Sequence, residues 1–455
     1  MLAMRTRLPV SGCVLLSAIC LTSVAAAQTS WWRTYGGTGL DWGNSVQPTS
    51  DGGYVIAGTT DYDGAGGAYL VKTNASGDTQ WTRTYGWSGE GCSVQQTSDG
   101  GYIVAGGVDG VDLIKTDALG DTLWTRTYQT FWSVGYSVQQ TTDGGYIVAG
   151  SARSLESSVY LIQADASGST LWTRTYGGTD LDWGNSVQQT SDSGYIIAGG
   201  TLSFGAGGSD VYLIKTDSSG DTLWTRTYGG ASYEEGMSVC QTLDSGYIIA
   251  GGTSSFGAGA PDSTNVYLIK TNTSGDTQWT RTYGGTSDDE GNSVQQTADG
   301  GYIVAGSTGS FGAGDWDVYL IKTDASGDTL WTRPYGGVSL DEGCSVQQTS
   351  DSGYIIAGFT GSFGAGWYDV YLIKTDSLGD VGVAEESSKP QAVSRKPGAT
   401  ILAGASGVRH LAASVIYDGM GRRVLHPQPG IYFVREEPQT SSHKPPTVQK
   451  VLLVE

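Results

Sequence analysis

The chain has 455 residues, 45 acidic against 25 basic side chains, a formal charge of −20, and 71 glycines to only 11 prolines. So acidic a chain is a poor partner for nucleic acid or an anionic membrane surface. Glycine without a three-residue period excludes collagen, and its spread between apolar runs rich in Tyr and Trp excludes disorder over most of the length.

Residues 1–27 read as a secretory leader. Arg5 and Arg7 precede a mostly apolar stretch at 14–24, and Ala25-Ala26-Ala27 offers a cleavage site before Gln28. The apolar part is too short to span a bilayer, and no later stretch qualifies as a transmembrane segment. Val10-Ser11-Gly12-Cys13 has the form of a lipoprotein box, but no apolar run precedes Cys13, so it reads as a chance match. Loss of the leader takes the net charge from −20 to −22 and leaves Cys92, Cys240 and Cys344, an odd, scattered set that makes no disulfide framework.

From residue 28 to 380 one unit is written repeatedly. Ser-Val-Gln-Gln-Thr, or a close variant, begins at Ser45, Ser93, Ser137, Ser186, Ser238, Ser293 and Ser345, at intervals of 48, 44, 49, 52, 55 and 52 residues. From Gly291 the unit reads GNSVQQTADGGYIVAGSTGSFGAGDWDVYLIKTDASGDTLWTRPYGG. Its four runs, NSVQQT, GYIVAG, DVYLIKT and TLWTRPY, are rich in β-branched and aromatic residues and predict four strands. ADGG and DASGD between them are hairpin turns with glycine available for positive φ. No stretch carries a helical period. Four antiparallel strands repeated seven times predict a seven-bladed all-β propeller, because each sheet has two apolar faces that only a ring of neighbours can bury.

The fourth-strand tryptophan is assigned to Trp32, Trp81, Trp124, Trp172, Trp224, Trp279 and Trp331. The last unit stops at KTDSLGDVGVAEE without that strand, whereas residues 30–37 carry it at the front with no unit before them. The N-terminal strand is therefore expected to pair beside Tyr371 and complete blade seven.

Asp299-Gly300-Gly301-Tyr302, Asp317-Val318-Tyr319-Leu320-Ile321-Lys322, Ser326-Gly327-Asp328 and Trp331 resemble the bacterial seven-bladed propeller repeats of the SBBP type. The resemblance extends over about residues 31–379 and implies fold rather than activity. The spacing Asp324, Gly327, Trp331 is also similar to the tryptophan-docking element of quinoprotein propellers, but those have eight blades and cofactor ligands with no counterpart here. No cofactor is expected.

Residues 381–400 read as a linker, and 401–455 as a small C-terminal β-sandwich-like domain. Gly421-Arg422-Arg423-Val424, residues 429–435 (PGIYFVR) and Lys450-Val451-Leu452 resemble the end of the type IX secretion sorting domain, which implies the type IX secretion machinery as a partner. The usual opening N-P element is absent, and PQTSSHKPP is an insertion relative to that pattern. From Asp380 onward 9 basic side chains meet 7 acidic ones, against 14 and 38 in residues 28–379.

All three histidines, His410, His426 and His443, lie in the tail, which removes Ser-His-Asp, Cys-His and His-ligated metal chemistry from the repeats. Thirteen of the fourteen basic residues of the repeats occupy fixed strand positions and are expected to pair with Asp across blades; only Arg153 falls elsewhere. No catalytic residue and no metal ligand is assigned. The connections between strands two and three, and between blades, vary in length and define the binding face. Acids collect there, at Asp41, Glu90, Asp182, Glu234, Glu235, Asp288, Asp289, Glu290, Asp341 and Glu342, and either accept backbone N–H groups of their own crossovers or form a cation site or an acidic funnel at the channel mouth. Trp42, Trp87, Trp132, Trp183, Trp316 and Trp367 lie in the same connections. Beside carboxylates they either plug the spaces between blades or offer a glycan or peptide platform. The ligand-binding candidates are Trp42, Trp183, Trp316 and Trp367 with Asp41, Asp182, Asp289 and Asp341. The function expected is non-enzymatic: a secreted or cell-surface recognition or scaffold protein. A carbohydrate-active hydrolase using paired carboxylates and a purely structural ring are the alternatives.

Overall fold

The computed structural model describes residues 30–60, 66–86, 89–130, 133–153, 157–258, 263–382, 414–417, 430–436 and 448–453. Seven four-stranded antiparallel sheets form the seven blades of a propeller. Each of the first six follows chain order from an inner strand outward. The inner strands are Asp41–Pro48, Glu90–Gln96, Ser133–Gln140, Asp182–Gln189, Glu234–Gln241 and Asp289–Gln296. Blade seven takes Asp341–Gln348, Tyr354–Thr360 and Asp369–Thr375 from the end of the repeats and Trp31–Tyr35 from the beginning.

The closing strand pairs antiparallel with Asp369–Thr375, with Trp31 opposite Lys374 and Tyr35 opposite Val370. This register corrects one assignment. Trp31, not Trp32, occupies the repeat position, because it stands opposite the repeat lysine as Trp81 stands opposite Lys72. Trp31 packs edge-on to Tyr54 of the next blade at 5.9 Å, as Trp81 does to Tyr102 and Trp331 to Tyr354. Trp32 points the other way, onto Phe363 and Tyr371. The spacing agrees with the ladder, since Trp31 stands two residues before Arg33 as Trp81 stands before Arg83, and Trp32 does not.

Burial is between blades. Each of the seven interfaces holds one apolar cluster, including Trp31, Tyr35, Val46, Tyr54 and Val370 at the junction of blades seven and one. Hydrogen bonds repeat the ring. The tyrosine ending each fourth strand donates its hydroxyl to a glycine carbonyl of the next blade, from Tyr35 to Gly77 at 2.6 Å through Tyr335 to Gly379 at 2.6 Å. The serine of every inner strand accepts the valine N–H of the next, and Val46 N–H to Ser345 Oγ at 3.2 Å closes the hoop. A second hoop joins Gln Oε1 to the next strand's Gln N–H, as in Gln47 to Gln96, but is interrupted in blade five, where Cys240 replaces the glutamine, and again at the seam. Pro48 has no N–H to give, and Gln347 instead accepts from Gln295 Nε2 at 3.0 Å.

The turn signal Thr-x-Asp-Gly-Gly works through its aspartate. Asp51 Oδ1 accepts from Thr49 Oγ1 and Gly53 N–H, and its carboxylate receives the buried Lys72 ammonium at 2.8 Å. Burial alone would raise the Asp51 pKa, but the bonds from Lys72 and Thr49 outweigh it and hold the carboxyl at about 2. Five further blades repeat the pair, and blade three has Gln163 in place of the lysine. The lysines thus pair within their own blades. The pairing across blades belongs to the arginines, such as Arg83 with Asp121, each lying over its own strand's tryptophan.

The chain divides into two compact units between residues 385 and 386. In the second, Ser414–Tyr417, Gly430–Glu436 and Val448–Leu453 form a three-stranded antiparallel sheet. One sheet is what the described residues show of the expected sandwich. The leader, residues 383–400 of the linker, Trp87, Trp132 and the remainder of 401–455 lie outside the described residues. Among the described residues no helix is long and apolar enough to cross a membrane.

Candidate functional site: the channel mouth

The inner strands line the central channel, and where each begins decides what faces it. In every one the register slips between the glycine near its start and the serine two residues on, so that one residue bulges out of the ladder. A bulge re-aims the side chain it carries. The bulged residues are Asn44, Cys92, Tyr136, Asn185, Met237, Asn292 and Cys344, and all seven line a cavity of about 930 Å³ at the mouth. With them stand Glu90, Leu181, Trp183, Tyr233, Glu235 and Glu342, above the hoop of serines. These bulge positions escaped the sequence reading. Their signal was present: within a nearly constant G-x-S-V-Q phrase, the x is the residue that varies from blade to blade.

The acids sort by strand alternation, since adjacent residues of a strand face opposite ways. Asp41, Asp182, Asp289 and Asp341 open their strands and are buried. Each accepts a backbone N–H of its own crossover through Oδ2: Gly37 and Gly178 at 2.8 Å, Gly285 at 2.8 Å, Gly337 at 2.7 Å. Ser203, Ser310 and Ser362 add hydroxyls to the last three, and Thr308 donates to Asp289 Oδ1. These carboxylates hold the crossovers together and lie beneath the surface. The carboxylates presented to the channel mouth come one residue later, at Glu90, Glu235 and Glu342, with Glu290 at the same position in blade six.

The four candidate tryptophans are placed apart. Trp183 lines the mouth, and its Nε1–H donates to Glu235 Oε1 at 2.5 Å. Asn185 Nδ2 donates to the same oxygen at 2.8 Å and the Tyr233 hydroxyl to Oε2 at 3.1 Å, so Glu235 is held by three partners. Trp42, at the equivalent point of blade one, turns instead toward Phe359 and Tyr368. The cause is its cross-strand partner. Trp183 lies against Gly200, where a Cβ would come within 2.4 Å of its ring, and blade one has Thr59 at that position. Trp42 therefore borders a separate groove of about 370 Å³ with Leu40, Val108 and Glu90. Trp316 sits in a third depression of about 740 Å³ with Asp288, Asp315 and Tyr368, and Trp367 stands 80% exposed at a loop tip. The four do not share one surface.

Burial first, then the neighbouring Glu290 charge, pushes the Glu342 carboxyl up to about 7 against the hydrogen bond from Asn292. Glu290 is raised by burial and by the charges of Glu235 and Asp288. Burial also lifts Cys92 to about 12 and Cys344 well above the ordinary thiol range, so neither is a ready nucleophile. Among the described residues no group of three His, Cys, Asp or Glu side chains could hold a metal ion.

No family model matches the chain. Over 157 residues it is 28% identical to the regulatory protein FlaEY of Caulobacter vibrioides, a match covering 30% of this chain and 16% of that protein's length. Among solved structures it is similar to Raptor of Chaetomium thermophilum, at 9% identity, 78% coverage of this chain, 30% of that one, and a TM-score of 0.50. It is also similar to the WD40 domain of Neurospora crassa Pan2, at 11% identity, 75% and 97% coverage and a TM-score of 0.47. A protein of unknown function from Bacteroides caccae matches at 12% identity, 64% and 98% coverage and a TM-score of 0.43. At 9% identity the likeness to Raptor is one of fold alone.

Proposed function

We propose that this chain is a secreted or cell-surface recognition protein without catalytic activity, binding a glycan or peptide through the face that carries the channel mouth. The observation that carries the reading is the mouth itself. It is a concave space of ligand size walled by Tyr136, Trp183 and Tyr233 and edged by carboxylates, with one bulged, variable side chain from every blade aimed into it. The leader-like residues 1–27 and the sorting-like tail 401–455 support export through the type IX machinery. The test is to screen the full chain on glycan and peptide arrays and repeat the screen with Trp183→Ala and Tyr136→Ala. The reading expects at least one ligand whose signal falls in both variants. Ligands that bind both variants as well as the wild type, or no ligand at all, would overturn it.

A second reading, a carbohydrate-active hydrolase, is favoured by one feature. Glu342, held up to about 7 beside Glu290, is a carboxyl that titrates near neutrality next to another acid, which is what a general acid needs. Turnover of chromogenic glycosides by the wild type, abolished in Glu342→Gln, would establish it.

A further inference from the structure

We propose that the mouth seats an organic cation, the ammonium or guanidinium group of a peptide side chain, among Glu235, Glu290 and Glu342 with Trp183 and Tyr233 beside it. The inference deepens the recognition reading above and rests on it. Its first support is charge without a counter-ion among the described side chains. Three consecutive blades place a glutamate at the same strand position, and their charges are felt by one another. The described lysine and arginine side chains are all committed elsewhere: the lysines to turn aspartates, the arginines over the tryptophans of the outer strands.

The second support is unfilled hydrogen bonding on the same sheet face. Glu290 pairs in register with Ser307, so both side chains leave blade six on one side. Ser307 is 1% exposed, and its hydroxyl has no hydrogen-bond partner. Among the described residues no donor reaches the Glu290 carboxylate either. A buried hydroxyl without a partner, on the same sheet face as an open carboxylate, is an unusual arrangement in a folded interior. A multi-donor cation entering there would serve both groups at once.

The chemistry selects an organic cation over a metal ion. Calcium needs six to eight oxygens at about 2.3–2.6 Å, whereas Glu235 already carries donors on both oxygens and Glu342 on one. Carboxylates on separate blades, two of them, Glu235 and Glu342, already tied by N–H or O–H partners, suit the longer reach of N–H···O bonds. The aromatic rings of Trp183 and Tyr233 add the face that an alkylammonium stem or a guanidinium plane favours.

The experiment titrates the full chain with the peptide acetyl-Gly-Gly-Lys-Gly-Gly-amide, following tryptophan fluorescence and heat of binding. The comparison probes are its arginine counterpart, the same peptide acetylated on the lysine nitrogen, and calcium chloride. The expected result is binding of the lysine and arginine peptides and roughly tenfold or greater weakening on acetylation or in Glu290→Gln. That variant is isosteric, and an unchanged melting temperature would certify its fold. Equal binding of the acetylated peptide, indifference to Glu290→Gln, or saturable calcium binding that displaces the peptide would each overturn the inference. A neutral array ligand lost in Trp183→Ala but unaffected by Glu290→Gln would sink the cation while leaving recognition at the mouth intact. No ligand sensitive to Trp183→Ala would remove both.

Discussion

Truncation of the closing strand one tryptophan at a time tests which of Trp31 and Trp32 holds the repeat position in the ring. Trp31 is 5% exposed, lies edge-on to Tyr54 in the neighbouring blade, and carries the Arg33 guanidinium over its ring at 5.4 Å. A buried tryptophan removes about 200 Å² from water, which at about 25 cal/mol/Å² is about 5 kcal/mol. Less the alanine that remains, Trp31→Ala should cost about 3–5 kcal/mol. Trp32 is only half-buried, with Phe363 at 4.9 Å and Tyr371 at 5.9 Å as its ring partners, so Trp32→Ala should cost about 1–2 kcal/mol. Urea denaturation of the two variants beside the wild type, followed by fluorescence and circular dichroism, measures the difference. The same assay applied to a chain lacking residues 28–37 should show a large loss of stability or aggregation, since Val370 and Leu372 lose their cover. Residue 382 lies against Ser30, so moving residues 30–37 to follow it should restore cooperative unfolding without the N-terminal segment. An unchanged midpoint on deletion would refute closure, and a Trp32→Ala cost equal to or above that of Trp31→Ala would refute the register.

Two further predictions concern single residues. Ser193, Ser245 and Ser352 hold φ of 66°, 65° and 64° at turn positions where other blades have glycine, so Ser→Gly at all three should raise the denaturation midpoint. Left-handed strain of about 1–2 kcal/mol per site is relieved, against about 0.5–1 kcal/mol of extra chain entropy; a lowered midpoint would contradict it. Glu342 binds its proton more tightly folded than unfolded, so stability falls as pH rises from the unfolded value of about 4.3 to about 7 and is level above that. Glu342→Gln should therefore stabilise the protein at pH 8, by an order of 1–3 kcal/mol, and make no difference at pH 4; equal melting temperatures for variant and wild type at pH 8 would remove the effect.

The propeller itself was legible in the chain because its information is local and repeated. Period-two strands, Asp-Gly turns and a count that balances only when residues 30–37 are lent to the last unit all follow from backbone chemistry within a few residues. That the ring closes through Trp31 rather than Trp32 was legible as well, because Trp31 stands two residues before Arg33 as Trp81 stands before Arg83, and the ladder opposite Lys374 agrees. The candidate site was legible only in part. The acids of the crossovers were visible as a group, but Asp41, Asp182, Asp289 and Asp341 differ from Glu235, Glu290 and Glu342 by a single step along a strand. One step reverses the face, and the buried position meets N–H groups of a crossover that only the folded turn brings close. The two tryptophans of the identical phrase Asp-Trp-Gly-Asn-Ser-Val-Gln take different directions because one stands opposite Gly200 and the other opposite Thr59. Composition and repeat thus determined that a ring would form. Which side chains its mouth presents was decided by cross-strand neighbours and by the bulge at Asn44, Cys92, Tyr136, Asn185, Met237, Asn292 and Cys344, contacts between segments that lie far apart in the chain.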